Sequence, residues 1–296
     1  MGTLHRYLVT EVEEDYVDGL ISRREALRRF GLLGVGVAAA TSILAACARD
    51  DDTEARTSPA ATTRSPATSA KPTEAIEFDG PDGRALLGAW AAADEAKGGI
   101  LVVHENRGLT DHIRSVAGRY AGAGYSALAI DLLSEEGGTA EVGGDAEAMA
   151  ALDKVSDERF IADMKAGVDE IERRLPDLKL AATGFCFGGA MVWMLLDAGE
   201  PRLAAAAPFY GTVPDDPDFS GSEAAVLGVY AELDSRVNAT REAAEAALQE
   251  AGLTHRIVTF PDADHAFFNG TGMRYNAEAA ADAWERVLEW FEKYVD

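Results

Sequence analysis

Residues 178–189 read LKLAATGFCFGG, and this stretch decides the fold. Its first half, residues 178–183, is apolar apart from Lys179 and Thr183, which is typical of a buried strand. Its second half places Cys186 between Gly184 and Gly188 and leads directly into a helical pattern. A turn of the form G-x-nucleophile-x-G between a strand and a helix is a nucleophile elbow, here with cysteine in the usual serine position.

The two glycines of this turn have a steric purpose, because a side chain at Gly184 or Gly188 would collide with a neighbouring strand or helix. The turn also brings Cys186 to a helix N-terminus, where the positive end of the helix favours a thiolate. The pattern therefore predicts that Cys186 is a nucleophile. A buried structural cysteine is the alternative.

Strand and helix patterns alternate on both sides of the elbow. Apolar runs such as residues 99–104 are typical of strands that are buried on both faces of a sheet. Strands are predicted at 75–78, 84–91, 99–104, 126–130, 178–183, 204–209, 225–230 and 255–260, and helices at 111–123, 157–174, 188–198, 240–251 and 277–294. The pattern predicts one α/β domain over residues 74–296, with a doubly wound, mostly parallel sheet and helices on both faces.

A nucleophile in this position needs a histidine base, which follows it in the chain. Two histidines lie beyond Cys186. His255 begins an apolar strand and is expected to be structural. His265 lies in a loop just past a strand end, where catalytic side chains are common in such sheets, and is the predicted base.

An acid that orients the base is expected between the nucleophile and the histidine. Asp234 ends the strand and loop of residues 226–234 and is the preferred candidate. Glu232 and Asp264 are the alternatives, although Asp264 is adjacent to His265 and is poorly placed to face its ring.

The first 47 residues resemble a bacterial export signal. Arg23 and Arg24 form a twin-arginine-like pair, and the apolar run over residues 31–46 is shorter than the ~20 residues that a membrane-spanning helix needs. The run ends in Leu-Ala-Ala-Cys at residues 44–47, which resembles a lipobox. We therefore predict export by the twin-arginine route, lipidation of Cys47, and anchoring to the outer side of the bacterial cytoplasmic membrane. An uncleaved, amphipathic N-terminal anchor is the alternative.

Residues 48–73 are rich in Ala, Thr, Ser and Pro and show no apolar periodicity, so a disordered tether to the domain is predicted. The whole chain carries 51 acidic and 27 basic residues and a formal charge of −24. Because this charge repels the phosphate backbone, we expect no binding to nucleic acid. It shows neither a metal-ligand spacing nor a glycine-rich nucleotide motif. We expect a monomer without metal or cofactor.

Four motifs together resemble the dienelactone hydrolase family. They are residues 103–108 (VHENRG), residues 184–189 (GFCFGG), the strand and loop ending in Asp234, and residues 264–267 (DHAF). The resemblance covers roughly residues 75–296 and contains the motifs in the family's order. It implies an α/β-hydrolase fold and a Cys186–His265–Asp234 triad.

The resemblance also implies roles for residues near the triad. Glu105 would contact the resting thiol and help to generate the thiolate, and the backbone N–H groups of Phe187 and Asn106 would form the oxyanion hole. His104, at the end of a buried strand, is expected to be structural. Independently of the resemblance, the aromatic residues that flank the presumed site are expected to line an apolar acyl pocket, namely Phe185, Phe267 and Phe268, with Asn269 beside them.

The chain differs from the dienelactone enzymes at two substrate-binding positions. Arginines that hold the substrate carboxylate are replaced by Asn269 and by the Ser-Glu-Glu of residues 134–136. Arg107 and Arg274 are further cations near the site but are expected to form surface pairs. The sequence thus predicts hydrolysis, through a thioacyl-enzyme, of an uncharged or cationic ester, thioester or lactone other than dienelactone. A binding or sensing lipoprotein without turnover is the alternative.

Overall fold

The computed structural model describes residues 3–46 and 70–296, and its centre is one eight-stranded sheet. The strand order across the sheet is β1-β2-β4-β3-β5-β6-β7-β8. Strand β2 pairs antiparallel with both β1 and β4, and the six strands from β4 to β8 in this order are parallel to one another. The strands are β1 (Glu74–Asp79), β2 (Ala85–Ala91), β3 (Gly98–Val103), β4 (Tyr125–Asp131), β5 (Leu180–Phe185), β6 (Leu203–Phe209), β7 (Ala225–Ala231) and β8 (His255–Phe260).

Helices cover both faces of this sheet. They are α1 (Thr3–Val17), α2 (Arg23–Leu32), α3 (Val37–Ala46), α4 (Asp111–Gly122), α5 (Asp145–Leu152), α6 (Asp157–Arg174), α7 (Phe187–Asp197), α8 (Ser235–Asn238), α9 (Arg241–Glu250) and α10 (Ala277–Tyr294). Aromatic contacts from Tyr120 of α4 to Trp284 and Phe291 of α10 join two helices on one face, and α6 packs against α7. The predicted doubly wound α/β-hydrolase architecture is confirmed.

The central strands are buried along their whole length, which explains why their sequences are continuous apolar runs. Every residue of β3, β4, β5 and β7 is buried. The predicted strands and helices of residues 74–296 are all found, and β5 begins at Leu180, two residues later than expected. Helix α5 was not predicted, because its alanine-rich sequence shows little amphipathic pattern.

Residues 3–46, which include most of the predicted export segment, form three helices that pack on the domain. Their apolar side chains, including Leu8, Val12, Phe30 and Leu44, belong to the same buried cluster as the core of the sheet. Helix α2 contacts α5, and an ion pair joins Arg28 to the exposed edge of α5. Across the described parts of the chain, no helix is both long and apolar enough to cross a membrane. Cys47 and almost all of the predicted tether lie outside the described residues.

The turn from β5 into α7 is built from backbone segments in close contact. A Cβ atom on Gly184 would lie 2.1 Å from the carbonyl oxygen of Gly188, and one on Gly188 would lie 2.3 Å from that of Val103. A Cβ atom on Gly189 would lie 2.2 Å from the carbonyl oxygen of Phe209. Backbone atoms cannot move aside as a flexible side chain can, so these three positions admit only glycine. Helix α7 is thereby held against β3 and β6.

Replacing Gly188 by alanine tests this packing. We expect Gly188→Ala to lower the free energy of unfolding by about 1–3 kcal/mol or more, because the new methyl group must displace backbone. Gly31→Ala is the matched control: apart from its chain neighbours and the nearby backbone of α2 itself, no atom lies within 4 Å of its Cβ position, and alanine favours helix there by up to ~1 kcal/mol. Urea unfolding of both variants measures the difference, and equal stabilities would contradict the steric argument.

Candidate active site

Cys186 occupies a strained backbone position between β5 and α7. Its φ and ψ angles are 58° and −118°, a conformation that L-residues rarely adopt. The position is fixed from both sides, because the Cys186 N–H donates to the Phe209 carbonyl at 3.1 Å and the Ala190 N–H donates to the Cys186 carbonyl at 3.1 Å. This geometry places the thiol at the start of α7, as the elbow motif predicts.

His265 and Asp234 meet beside this thiol. The Nδ1 atom of His265 lies 2.6 Å from Oδ2 of Asp234, and both side chains are almost fully buried. The other oxygen of Asp234 accepts a hydrogen bond from the N–H of Val237 at 3.0 Å, which holds the carboxylate at the start of α8. Since Nδ1 is taken by Asp234, the remaining ring nitrogen, Nε2, is the one available for proton transfer.

The two rival carboxylates make other contacts. Glu232 accepts a hydrogen bond from the backbone N–H of Asp262, and Asp264 accepts one from the backbone N–H of His265. Neither of these hydrogen bonds involves the His265 ring. Of the three candidate acids, Asp234 is therefore the one that the fold brings to Nδ1.

Glu105 lies in the loop after β3 and is buried. Its Oε2 accepts a hydrogen bond from the Asn269 side-chain amide at 2.7 Å. Burial raises the pKa of Glu105 to about 7, against the lowering effects of Arg107 and of this hydrogen bond. Asn269, at the position of a family arginine, therefore contacts a carboxylate of the protein itself.

The neighbouring His104 has a structural arrangement. Its Nδ1 lies 2.6 Å from the Glu105 carbonyl, and its Nε2 accepts a hydrogen bond from the Leu132 N–H at 3.1 Å. This requires the neutral ring with its proton on Nδ1, in keeping with burial, which lowers the pKa of His104. The ring stacks on Phe187, the first residue of α7, whose N–H group has no intrahelical partner. The buried Asn106 follows Glu105 in the loop.

The three phenylalanines predicted to line an acyl pocket are packed in a buried aromatic cluster. Phe185 and Phe268 stack at 5.2 Å between ring centroids, and both contact Phe209. Phe267 packs against Tyr210 and Phe260. All three predicted residues are 2% exposed or less, so their side chains are packed in the core of the domain.

Helix α1 covers the thiol, which the sequence did not predict. The hydroxyl group of Tyr7 lies 3.0 Å from Cys186 Sγ. The Oε1 atom of Glu11 lies 3.8 Å from the same sulfur and 3.5 Å from Nε2 of His265. With the helix in place, Cys186 and His265 are each 3% exposed.

Two arginines on the domain hold the acidic face of α1. Arg236 contacts the carboxylates of Glu11 and Glu14 and lies over the ring of Tyr7 at 4.5 Å. Arg274, which was expected to form surface pairs, instead lies at this contact and is only 10% exposed. Its partners are two acidic residues: Asp15 of α1, at 3.2 Å, and Asp18, the residue that follows α1. The other predicted surface pair is found, between Arg107 and Asp145 at 3.4 Å.

The charges around the thiol favour a neutral cysteine and a protonated histidine. Burial and the Glu11 carboxylate raise the pKa of the Cys186 thiol. Burial alone would lower the pKa of His265, but the carboxylates of Glu11 and Asp234 outweigh it and raise that pKa well above its usual range. In this state the Cys186 thiol keeps its proton, and the protonated His265 cannot accept it.

Within the described residues, Glu11, Cys186 and His265 are the group whose spacing could hold a metal ion, with one ligand atom each within 4.8 Å of one another. Sulfur, imidazole and carboxylate suit zinc. However, the two arginines that neutralise the acidic face of α1 oppose a further cation there, and two of the three groups are the predicted nucleophile and base. The site therefore fits acid–base chemistry better than metal binding.

Comparison with known proteins agrees with this geometry. The family model for the dienelactone hydrolase family matches residues 85–295. A protein of Escherichia coli O157:H7, provisionally named carboxymethylenebutenolidase, is 34% identical over 208 residues, which cover 66% of this chain and 76% of that protein. A Salmonella typhi protein with the same provisional name is 33% identical over 232 residues, covering 74% and 86%.

A solved structure is similar as well. The crystal structure of a Klebsiella pneumoniae protein, provisionally assigned as a dienelactone hydrolase, superposes with a TM-score of 0.65 and 31% identity. The match covers 75% of this chain and 99% of that one. With the family model spanning more than two thirds of its length, this chain belongs to the dienelactone hydrolase family and is a hydrolase with the α/β-hydrolase fold.

Proposed function

We propose that this protein hydrolyses a small carboxylic ester, thioester or lactone through a thioacyl-enzyme formed on Cys186. The observation that carries the proposal is the 2.6 Å contact between His265 and Asp234 beside a thiol held at a strained elbow. The names of the related proteins, which denote hydrolases of lactones, support the substrate class.

The proposed reaction has two steps. The Cys186 thiolate attacks the carbonyl carbon, and the N–H groups of Phe187 and Asn106 stabilise the oxyanion. The carbon–oxygen or carbon–sulfur bond to the leaving group then breaks, and His265, which starts the cycle as the imidazolium, gives that group its proton. In the second step His265 removes a proton from water, the resulting hydroxide attacks the thioester, and the acid leaves while Cys186 is regenerated. Asp234 holds the imidazole in the required tautomer.

Glu105 is proposed to take up the thiol proton at the start of this cycle. A carboxylate whose pKa lies near 7 is close to the operating pH, which suits a group that must both accept and release a proton. The same negative charge raises the pKa of the Cys186 thiol, so the resting thiol is kept unreactive until substrate binds.

The substrate is proposed to differ from dienelactone. Neither family arginine position supplies a cation: Asn269 binds Glu105, and Glu135 and Glu136 pair with Arg84 and Arg159. The sequence favours an uncharged or cationic substrate for this reason. Arg236 and Arg274 add positive charge close to the thiol, so a substrate panel must include neutral, anionic and cationic compounds.

Export is the second part of the proposal. The paired Arg23 and Arg24, the short apolar run and the lipobox-like Cys47 support a lipoprotein signal of the twin-arginine type. The hydrolase domain would then work outside the cytoplasmic membrane, tethered through a lipid on Cys47.

Substitution of Cys186 tests the reaction. We expect Cys186→Ala to lower hydrolysis of p-nitrophenyl esters and lactones by about 10³-fold or more, because no nucleophile remains. Mass spectrometry of the wild-type protein after brief exposure to substrate should show an acyl adduct on Cys186. Equal rates in the two proteins and no adduct across the panel would favour a binding lipoprotein instead.

The pH dependence of stability tests the state of Glu105. A carboxyl whose pKa is about 7 when folded and ~4.3 when unfolded contributes stability at low pH that is lost as the pH rises through 7. Glu105→Gln should therefore stabilise the fold by about 1–3 kcal/mol more at pH 8 than at pH 5. The control is Glu77→Gln on β1, which is exposed. A pH-independent effect in urea unfolding would show that Glu105 is ionised throughout.

Substitution of Cys47 tests the anchor. In a bacterial host with lipoprotein processing, we expect the wild-type protein to fractionate with membranes and to carry a lipid mass on its new N-terminus. Cys47→Ala should lose both, because only the thiol of that cysteine accepts the lipid. Membrane association that persists unchanged in Cys47→Ala would overturn the lipidation proposal.

A further inference from the structure

We propose that helix α1 is an intramolecular inhibitor, which occupies the active site of the uncleaved chain and keeps the hydrolase inactive until the N-terminal segment is removed. The inference rests on the proposed function, because it assumes that Cys186 is the nucleophile. It assigns a second function, besides export, to the predicted export segment of residues 1–47, which is called the leader below.

The helix fills the space that a substrate needs. A carbonyl carbon must come within about 3–3.5 Å of the attacking sulfur. The hydroxyl oxygen of Tyr7 is already 3.0 Å from that sulfur, and a carboxylate oxygen of Glu11 is 3.8 Å from it. A cleft of about 370 Å³ remains beside α1, and it reaches Asp234 and His265. Cys186, which is 3% exposed, is not part of its lining.

Glu11 resembles the product of the proposed reaction. Hydrolysis of an ester leaves a carboxylate between the thiol and the imidazole, and the Glu11 carboxylate lies in that place, 3.5 Å from His265 Nε2. Its charge stabilises the imidazolium and opposes the thiolate. Because the Glu11 charge keeps the Cys186 thiol protonated, Glu11 blocks the chemistry as well as the entrance.

The contact is specific in its charges. Although the whole chain has a formal charge of −24, the surface beneath α1 presents Arg236 and Arg274. The helix presents carboxylates to these arginines along one face, at the spacing of successive turns. Asp15 is held from a second side by Arg29 of α2 at 3.4 Å. The helix is thus anchored both to the domain and to the rest of the leader.

The leader joins this inhibition to export. Helix α2 contains the paired arginines of the proposed signal and packs on α1, so the two elements are parts of one segment. Cleavage before Cys47 would separate α1 from the domain. The hydrolase would then become active only after processing, outside the compartment in which it is made.

Alkylation of Cys186 in the full chain tests this inhibition independently of catalysis. The variant is Tyr7→Ala/Glu11→Ala, which removes both groups that contact the sulfur, and Glu77→Gln is the matched control for the loss of a carboxylate. With iodoacetamide, and with Cys186 followed by peptide mass spectrometry, we expect about tenfold or faster alkylation in the double variant, since the open fraction of sites rises. The control should react as slowly as the wild type.

A second protein guards against a folding failure. The chain that starts at Lys71 retains the whole sheet, and the Klebsiella relative is matched over 99% of its length by 75% of this chain. Cys186 of the chain that starts at Lys71 should be alkylated as fast as Cys186 of the double variant. Residues 3–17, added as a synthetic peptide, should slow this alkylation again. Equal alkylation rates in the wild type, the double variant and the shortened chain would overturn the inhibitor. Fast alkylation without ester hydrolysis would retain it and reject the proposed function.

Discussion

The backbone of Cys186, held at a positive φ, is the constraint on which the rest of the site depends. The strain is maintained because glycines on either side let α7 approach within backbone contact of β3 and β6, where a single methyl group would not fit. The thiol therefore stands above the carboxyl edge of the sheet and at the first turn of a helix. Once that is fixed, the loops after β7 and β8 can bring an acid and a base to it without any further adjustment of the sheet.

The parts of this arrangement that the sequence could predict are those encoded locally. Apolar runs indicated the buried strands, and the spacing of Gly184, Cys186 and Gly188 indicated the elbow. Chain order then selected Asp234 and His265, and the structure places these two side chains 2.6 Å apart. The assignment of their roles goes beyond proximity and belongs to the proposed function. Local patterns succeed here because the strand-turn-helix unit is specified by its own residues.

The contacts of residues 3–46 with the domain could not be predicted in the same way, because their partners lie about 120 to 260 positions away. The twin-arginine pair and the lipobox-like end of this segment indicated an export signal, and an export signal by itself predicts no contact with the domain. One signal was nevertheless present: Tyr7, Glu11 and Asp15 recur every four residues, which puts an aromatic ring and two carboxylates on one face of a helix. Arg236 gave no comparable signal, since a lone arginine after a strand is ordinarily a solvated residue.

The proposed inhibitor also changes how the charge of the site is to be understood. Without α1, Arg236 and Arg274 would lose their carboxylate partners on that helix, and their positive charge near the thiol would favour the thiolate and attract anions. With α1 in place, carboxylates neutralise those arginines, raise the pKa of the thiol and favour the imidazolium form of His265. One set of side chains thus has two electrostatic states, and the leader selects between them. The acidity of the α1 face follows from this requirement, because a neutral helix would occlude the thiol but would not oppose formation of the thiolate.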